Sequence, residues 1–259
     1  MAILKIEYYS EVLGMNRPVN VIYPEAAKTG VKDAKDIPVI YLLHGMSGNE
    51  NAWLNRSGID RLVRKTNVAL VMPSTDLGWY SNTKYGMNYF DAIAQELPRV
   101  IHNFFPSLST KREKNFIVGL SMGGYGAFKL ALLTDKFSCA ASLSGALSFD
   151  FQEDLIFEEN ENYWSGIFGS KTEFDLSETN NLQNLARNSK ERPKLYAWCG
   201  AQDFLFEVNN VVTKELKNLG YDITYESSEG IHDWYYWTQK IDRILDWLPI
   251  DYQREERKI

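Results

Sequence analysis

A chain of 259 residues is long enough to bury a sizeable core, and 44% hydrophobic with 24% charged residues is a globular balance that excludes extended disorder. With 28 Lys and Arg against 34 Asp and Glu the net charge is −6, which leaves no basic footprint for nucleic acid. The longest apolar run, Ile37 to Leu43, includes Pro38 and falls far short of the roughly 20 residues that a membrane span needs, so a membrane-spanning chain is not expected.

At the N-terminus, Lys5 and Glu7 break the apolar core that an export signal requires. Cys139 and Cys199 lie in apolar segments outside any C-x-x-C pair, as suits free thiols in a reducing, cytoplasmic interior. Apolar, β-branched runs predict strands at Leu4–Tyr9, Val19–Tyr23, Pro38–Leu43, Val68–Met72, Phe116–Gly119, Cys139–Leu143, Leu195–Cys199 and Ile223–Glu226. Stretches with a 3.6-residue period predict helices at Ile59–Lys65, Tyr89–Phe105, Met122–Thr134, Val208–Leu219 and His232–Leu248. Pro98 interrupts the second of these, so that helix is expected to be kinked or to begin late. The alternation implies an α/β fold, with about eight strands in a mostly parallel sheet, helices on both faces and an antiparallel start. Ligands then gather at the carboxyl ends of the strands.

Residues 147–192 carry Glu158, Glu159, Glu161 and bulky Phe151, Phe157, Tyr163, Trp164 and Phe168 without clear periodicity. This reads as an excursion over the sheet, a candidate lid or cap, within a single domain spanning 1–259. No repeat or linker marks a second domain.

The segment from Phe116 runs as a strand into G-L-S-M-G at Gly119, Ser121 and Gly123, then into a helical pattern. That is a nucleophile elbow in the context it needs: a strand that turns into a helix within one residue projects the serine hydroxyl above the sheet, and side chains two positions either side would collide. A P-loop would need Lys where Tyr125 stands, and a dinucleotide G-x-G-x-x-G starting at Gly124 would need Gly where Lys129 stands.

Upstream, a buried strand ends in His44-Gly45-Met46-Ser47-Gly48. The backbone N–H groups of Met46 and Met122 are the expected oxyanion donors, with Ser47 as the alternative to Met46. His44 precedes the nucleophile in the chain and is expected to hold the loop by hydrogen bonds. Of the three histidines, His44, His102 and His232, only His232 follows Ser121, as the chain order Ser, acid, His demands. The acids between them are Asp135, Asp150, Asp154, Asp175, Asp203 and Asp222, with Glu207 also in range. Asp203 follows the Lys194–Gly200 run by three residues, at a carboxyl end, and is the expected third member, whereas Asp233 adjoins His232 and its side chain diverges from the ring. Trp79, Tyr80 and Trp164 are candidate substrate-binding walls. No H-x-H or H-E-x-x-H spacing is present, so neither metal nor organic cofactor is expected.

Five blocks in order, L-L-H-G-M-S-G-N-E-N-A-W over 42–53, G-W-Y over 78–80, G-L-S-M-G-G-Y-G-A over 119–127, W-C-G-A-Q-D-F over 198–204 and H-D-W-Y-Y-W over 232–237, resemble the esterase D-related α/β-hydrolases, and most closely the bacterial tributyrin esterases. The resemblance spans nearly the whole chain. It implies the α/β-hydrolase fold and a carboxylesterase acting on short acyl esters, with Ser121, Asp203 and His232 as its triad. A small-molecule ester is the implied partner, and a homo-oligomer is compatible with it. The superfamily also holds acetyl-xylan and feruloyl esterases and S-formylglutathione hydrolases, so the leaving group stays open. The absence of Cys from H-G-M-S-G departs from the formylglutathione enzymes.

Overall fold

The computed structural model describes residues 1–32, 34–149 and 161–254. Among them eight strands form one sheet: β1 Ala2–Ser10, β2 Met15–Tyr23, β3 Val39–Leu43, β4 Ala69–Pro73, β5 Asn115–Leu120, β6 Cys139–Leu143, β7 Lys194–Gly200 and β8 Ile223–Ser228. Their order is β1-β2-β4-β3-β5-β6-β7-β8. β2 runs antiparallel to both of its neighbours, and all other pairs are parallel. Each strand expected from the sequence is present. The central ones are buried on both faces, which is why they read as unbroken apolar runs, whereas edge strand β1 alternates between exposed and covered residues.

Side-chain alternation splits the core into two layers. Val39, Tyr41, Leu43 and Ile117 point to the face covered by helices Met122–Leu133 and Phe206–Asn218. Ile40, Leu42 and Val118 point to the other face, against Trp53, Ile59 and helix Trp234–Trp247.

Two helix expectations need correction. The helix placed over Ile59–Lys65 is only Ile59–Leu62, and a helix that was not anticipated, Ala52–Ser57, precedes it; Gly58, at φ 60°, ends the first helix and starts the second. Of the two expectations for the helix around Pro98, the late start is overturned: it begins at Tyr89–Asp91, widens into a π-helical turn at Ala92–Glu96 and continues as Leu97–Phe104. The wider turn sits where the missing proline N–H would otherwise leave an α-type bond unmade.

Part of the expected excursion, residues 150–160, lies outside the described residues. Beyond it, helices Glu161–Phe168, Lys171–Asp175 and Leu182–Asn188 are short, and no periodic signal marks them in the sequence. Lys84 pairs with Glu173 at 2.8 Å and the Tyr125 hydroxyl donates to the Asn180 carbonyl at 2.8 Å, tying this segment to the sheet layer. No helix among the described residues is long and apolar enough to cross a membrane.

Candidate active site

β3, β5, β7 and β8 are parallel, so the loops leaving their carboxyl ends emerge on one edge, carrying His44 to Gly48, Ser121, Asp203 and His232 respectively. Ser121 stands between β5 and the Met122–Leu133 helix with φ 53° and ψ −120°, a strained conformation that the surrounding structure must impose. Its neighbours leave room for nothing larger than glycine. A Cβ on Gly119 would lie 2.0 Å from the Gly123 carbonyl oxygen, and one on Gly123 would lie 2.5 Å from that of Leu43.

His232 Nε2 lies 3.0 Å from Ser121 Oγ, and its Nδ1 lies 2.9 and 3.1 Å from the two carboxylate oxygens of Asp203. The Asp203 side chain is fully buried, and it also accepts from the Leu205 N–H at 2.9 Å. The imidazole is 19% exposed and lies between Phe204 and Trp237, with ring centroids at 4.6 and 4.9 Å. Asp150 and Asp154 lie outside the described residues; of the other acids open in the sequence, Asp203 is the one brought to His232. Glu207 is exposed in the first turn of the Phe206–Asn218 helix. Asp233 instead caps the last helix, accepting from the Tyr235 N–H at 2.8 Å.

The loop after β3 is braced from several directions. His44 is fully buried; its Nδ1 faces the Gly45 carbonyl at 2.7 Å, and its Nε2 accepts from the Thr75 N–H at 3.1 Å. That pattern requires the neutral ring, and burial lowers its pKa in the same sense. Trp53 Nε1 donates to the Leu43 carbonyl at 3.0 Å and the Tyr80 hydroxyl to the His44 carbonyl at 2.9 Å. A Cβ on Gly45 would lie 2.8 Å from Leu120 Cδ1 and 3.2 Å from Ser121 Cβ, so the loop bearing Met46 rests directly on the elbow. Met122, the first residue of its helix, carries an N–H with no acceptor inside that helix.

Two cavities meet at Ser121. The smaller, about 120 Å³, is bounded mainly by Trp79, Phe149, Trp164, Phe204, Leu205 and Val208. The larger, about 390 Å³, opens between the Met46 loop and His232 and includes Arg56, Asp233 and Trp234. Trp79 and Trp164 thus border the small cavity, with ring centroids 5.2 Å apart. Tyr80 lines neither cavity, and its expected place as a substrate wall is corrected: it is 0% exposed, and its ring fills the space where Gly126 lacks a side chain. Phe204, Phe149 and Arg56 were not anticipated as lining residues. Phe204 had a signal, since it directly follows Asp203; Arg56 stands three residues beyond the 42–53 block and Phe149 inside the 147–192 excursion, but neither segment says which of its side chains turns toward Ser121.

The profile of the Esterase family, described as "Putative esterase", matches residues 10–248. An acetyl esterase of Caldicellulosiruptor saccharolyticus is 33% identical over 96% of this chain and 98% of its own length. Among solved structures, the substrate-bound fluorophosphonate-binding serine hydrolase F of Staphylococcus aureus is similar with a TM-score of 0.85 and 33% identity, covering 95% of this chain and 98% of its own. The S-formylglutathione hydrolase of the same organism has a TM-score of 0.81 and 33% identity over the same shares.

Proposed function

This chain belongs to the Esterase family, and from that premise we propose that it hydrolyses short-chain acyl esters, acetyl to butyryl, with Ser121 as nucleophile, His232 as base and Asp203 as the acid that orients it. The observation that carries the reading is the continuous relay from Asp203 through His232 to Ser121, with contacts of 2.9 and 3.0 Å. His232 takes the proton as Oγ attacks the ester carbonyl, and Asp203 holds the Nδ1–H tautomer while the imidazolium forms. The N–H groups of Met46 and Met122 receive the oxyanion. His232 then protonates the departing alcohol, and water repeats the cycle on the acyl-enzyme. The short acyl chain occupies the small apolar cavity and the alcohol leaves through the larger one.

A thioester reading is supported by the Staphylococcus aureus S-formylglutathione hydrolase. An acetyl and formyl panel with oxygen and sulfur leaving groups separates the two. The buried free thiols of Cys139 and Cys199 support a cytoplasmic location, testable by fractionation.

Ser121→Ala should lose about 10⁴-fold or more in rate with its fold intact, and a fluorophosphonate should label Ser121 alone. Activity that survives in the alanine variant, or a label found elsewhere, overturns the nucleophile assignment.

A further inference from the structure

The two cavities at Ser121 differ in charge. The small one is bordered by uncharged residues throughout, whereas the larger one carries two charged groups, Arg56 and Asp233. Arg56 lies in the last turn of the Ala52–Ser57 helix, with its guanidinium carbon 6.0 Å from the centroid of the Trp234 ring. Trp234 is itself set edge-on to Trp53 and Trp237, with centroids at 5.3 and 5.5 Å, and the Thr238 hydroxyl donates to the Arg56 carbonyl at 3.3 Å. The cation is therefore seated against a packed aromatic surface.

Among the described residues no carboxylate pairs with it. Arg17, Arg99, Arg112, Arg187, Arg243 and Arg254 have Asp or Glu partners; Arg61 and Arg192 form no ion pair among the described residues either, but neither borders a cavity at Ser121. The one carboxylate bordering the cavity, that of Asp233, keeps its charge but is turned to the Tyr235 N–H at 2.8 Å and forms no ion pair with Arg56. On a chain of net charge −6, an unpaired guanidinium in the cavity that faces the departing group is a local attraction set against a repulsive background.

We infer that Arg56 makes the larger cavity a subsite for a carboxylate on the departing alcohol, so that the preferred substrates are short-chain acyl esters of hydroxy acids. The inference rests on the esterase reading of Ser121 given above. An exposed ion pair is weak, so the preference should be a modest factor expressed in KM rather than kcat.

The test compares 3- and 4-acetoxybenzoate with the corresponding acetoxybenzamides, each rate divided by that ester's hydrolysis without enzyme. At low ionic strength the wild type should favour the carboxylates about fivefold more than Arg56→Gln does, Arg56→Lys should keep part of that preference, and 0.5 M NaCl should erase most of it. Equal ratios in the wild type and Arg56→Gln overturn the proposal. If Arg56→Gln fails to fold, a wild-type ratio that does not change with salt overturns it equally. If the wild type turns over none of these esters and Ser121 takes no fluorophosphonate label, the esterase reading fails and the subsite falls with it.

Discussion

Asp203 is committed on both sides, its buried carboxylate shared between His232 Nδ1 and the Leu205 N–H. Replacing it with asparagine keeps the size but removes the charge that stabilises the imidazolium and allows the imidazole to adopt the wrong tautomer. Asp203→Asn should therefore lower kcat by about 10⁴-fold while the thermal transition stays near that of the wild type. Glu207→Gln should leave the rate close to wild type, because that residue is exposed in the first turn of the Phe206–Asn218 helix while His232 Nδ1 is taken by Asp203. Steady-state kinetics on both variants decides the matter, and the reverse outcome would make Glu207 the orienting acid. The elbow depends on steric detail of the same kind: a positive φ at Ser121 is tolerated because Gly119 and Gly123 let the strand, the helix and the end of β3 close around it.

The Met122–Leu133 helix is buried along almost its whole length, and it includes Lys129, which is 1% exposed. Lys129 Nζ lies 2.5 Å from Ser81 Oγ and 2.7 Å from Asn180 Oδ1, and the Ser81 hydroxyl donates to the Trp79 carbonyl at 2.9 Å. A single ammonium or amine thus links the elbow helix, the turn that carries Trp79 and the segment beyond residue 160. Burial lowers the lysine pKa well below 10.5. Between that lowered value and the ordinary one the unfolded chain holds a proton that the folded chain lacks, so this group makes stability rise with pH over the interval. Urea unfolding should show the wild type gaining on Lys129→Met as the pH is raised from neutrality toward 10.5. A difference that stays flat would mean that the lysine remains charged in the fold.

For the whole molecule, the sheet sets the geometry of selection. Ser121 sits between a small apolar cavity of about 120 Å³ and a wider one of about 390 Å³, and the wall of the former is an aromatic layer in which Trp79 meets Tyr125, Phe149 and Trp164 at 5.1 to 5.7 Å. Each methylene buried contributes about 0.8 kcal/mol only while there is room for it. Rates on p-nitrophenyl esters should therefore be highest from acetyl to butyryl, fall steeply by octanoyl and show no jump when substrate forms an emulsion. Trp79→Ala should move the optimum to longer chains. A wild-type profile that climbs with chain length would identify a lipase instead.

The sequence by itself determined the eight strands, because burial on both faces writes an uninterrupted apolar run into each central strand, and it singled out Ser121 and His232 as the proposed nucleophile and base, because the steric demands of the elbow and the chain order leave no other serine or histidine. The resemblance it carries extended this to the family, which the comparison over residues 10–248 bears out. Three matters were decided only by the tertiary structure. Strand order brought residues 111 positions apart within 3.0 Å and set the carboxylate of Asp203, expected from the sequence only by its position after β7, against the His232 ring, since a side-chain contact between distant segments leaves no local pattern. Packing turned Tyr80 inward to brace the His44 carbonyl, because its neighbour Gly126 offered a space that no periodicity reveals. The three helices between 161 and 188 have no signal in the sequence because elements of five to eight residues are too short to show a period, and the first of them, Glu161–Phe168, is held by aromatic contacts with Trp79 and Tyr125 that exist only once the sheet has formed.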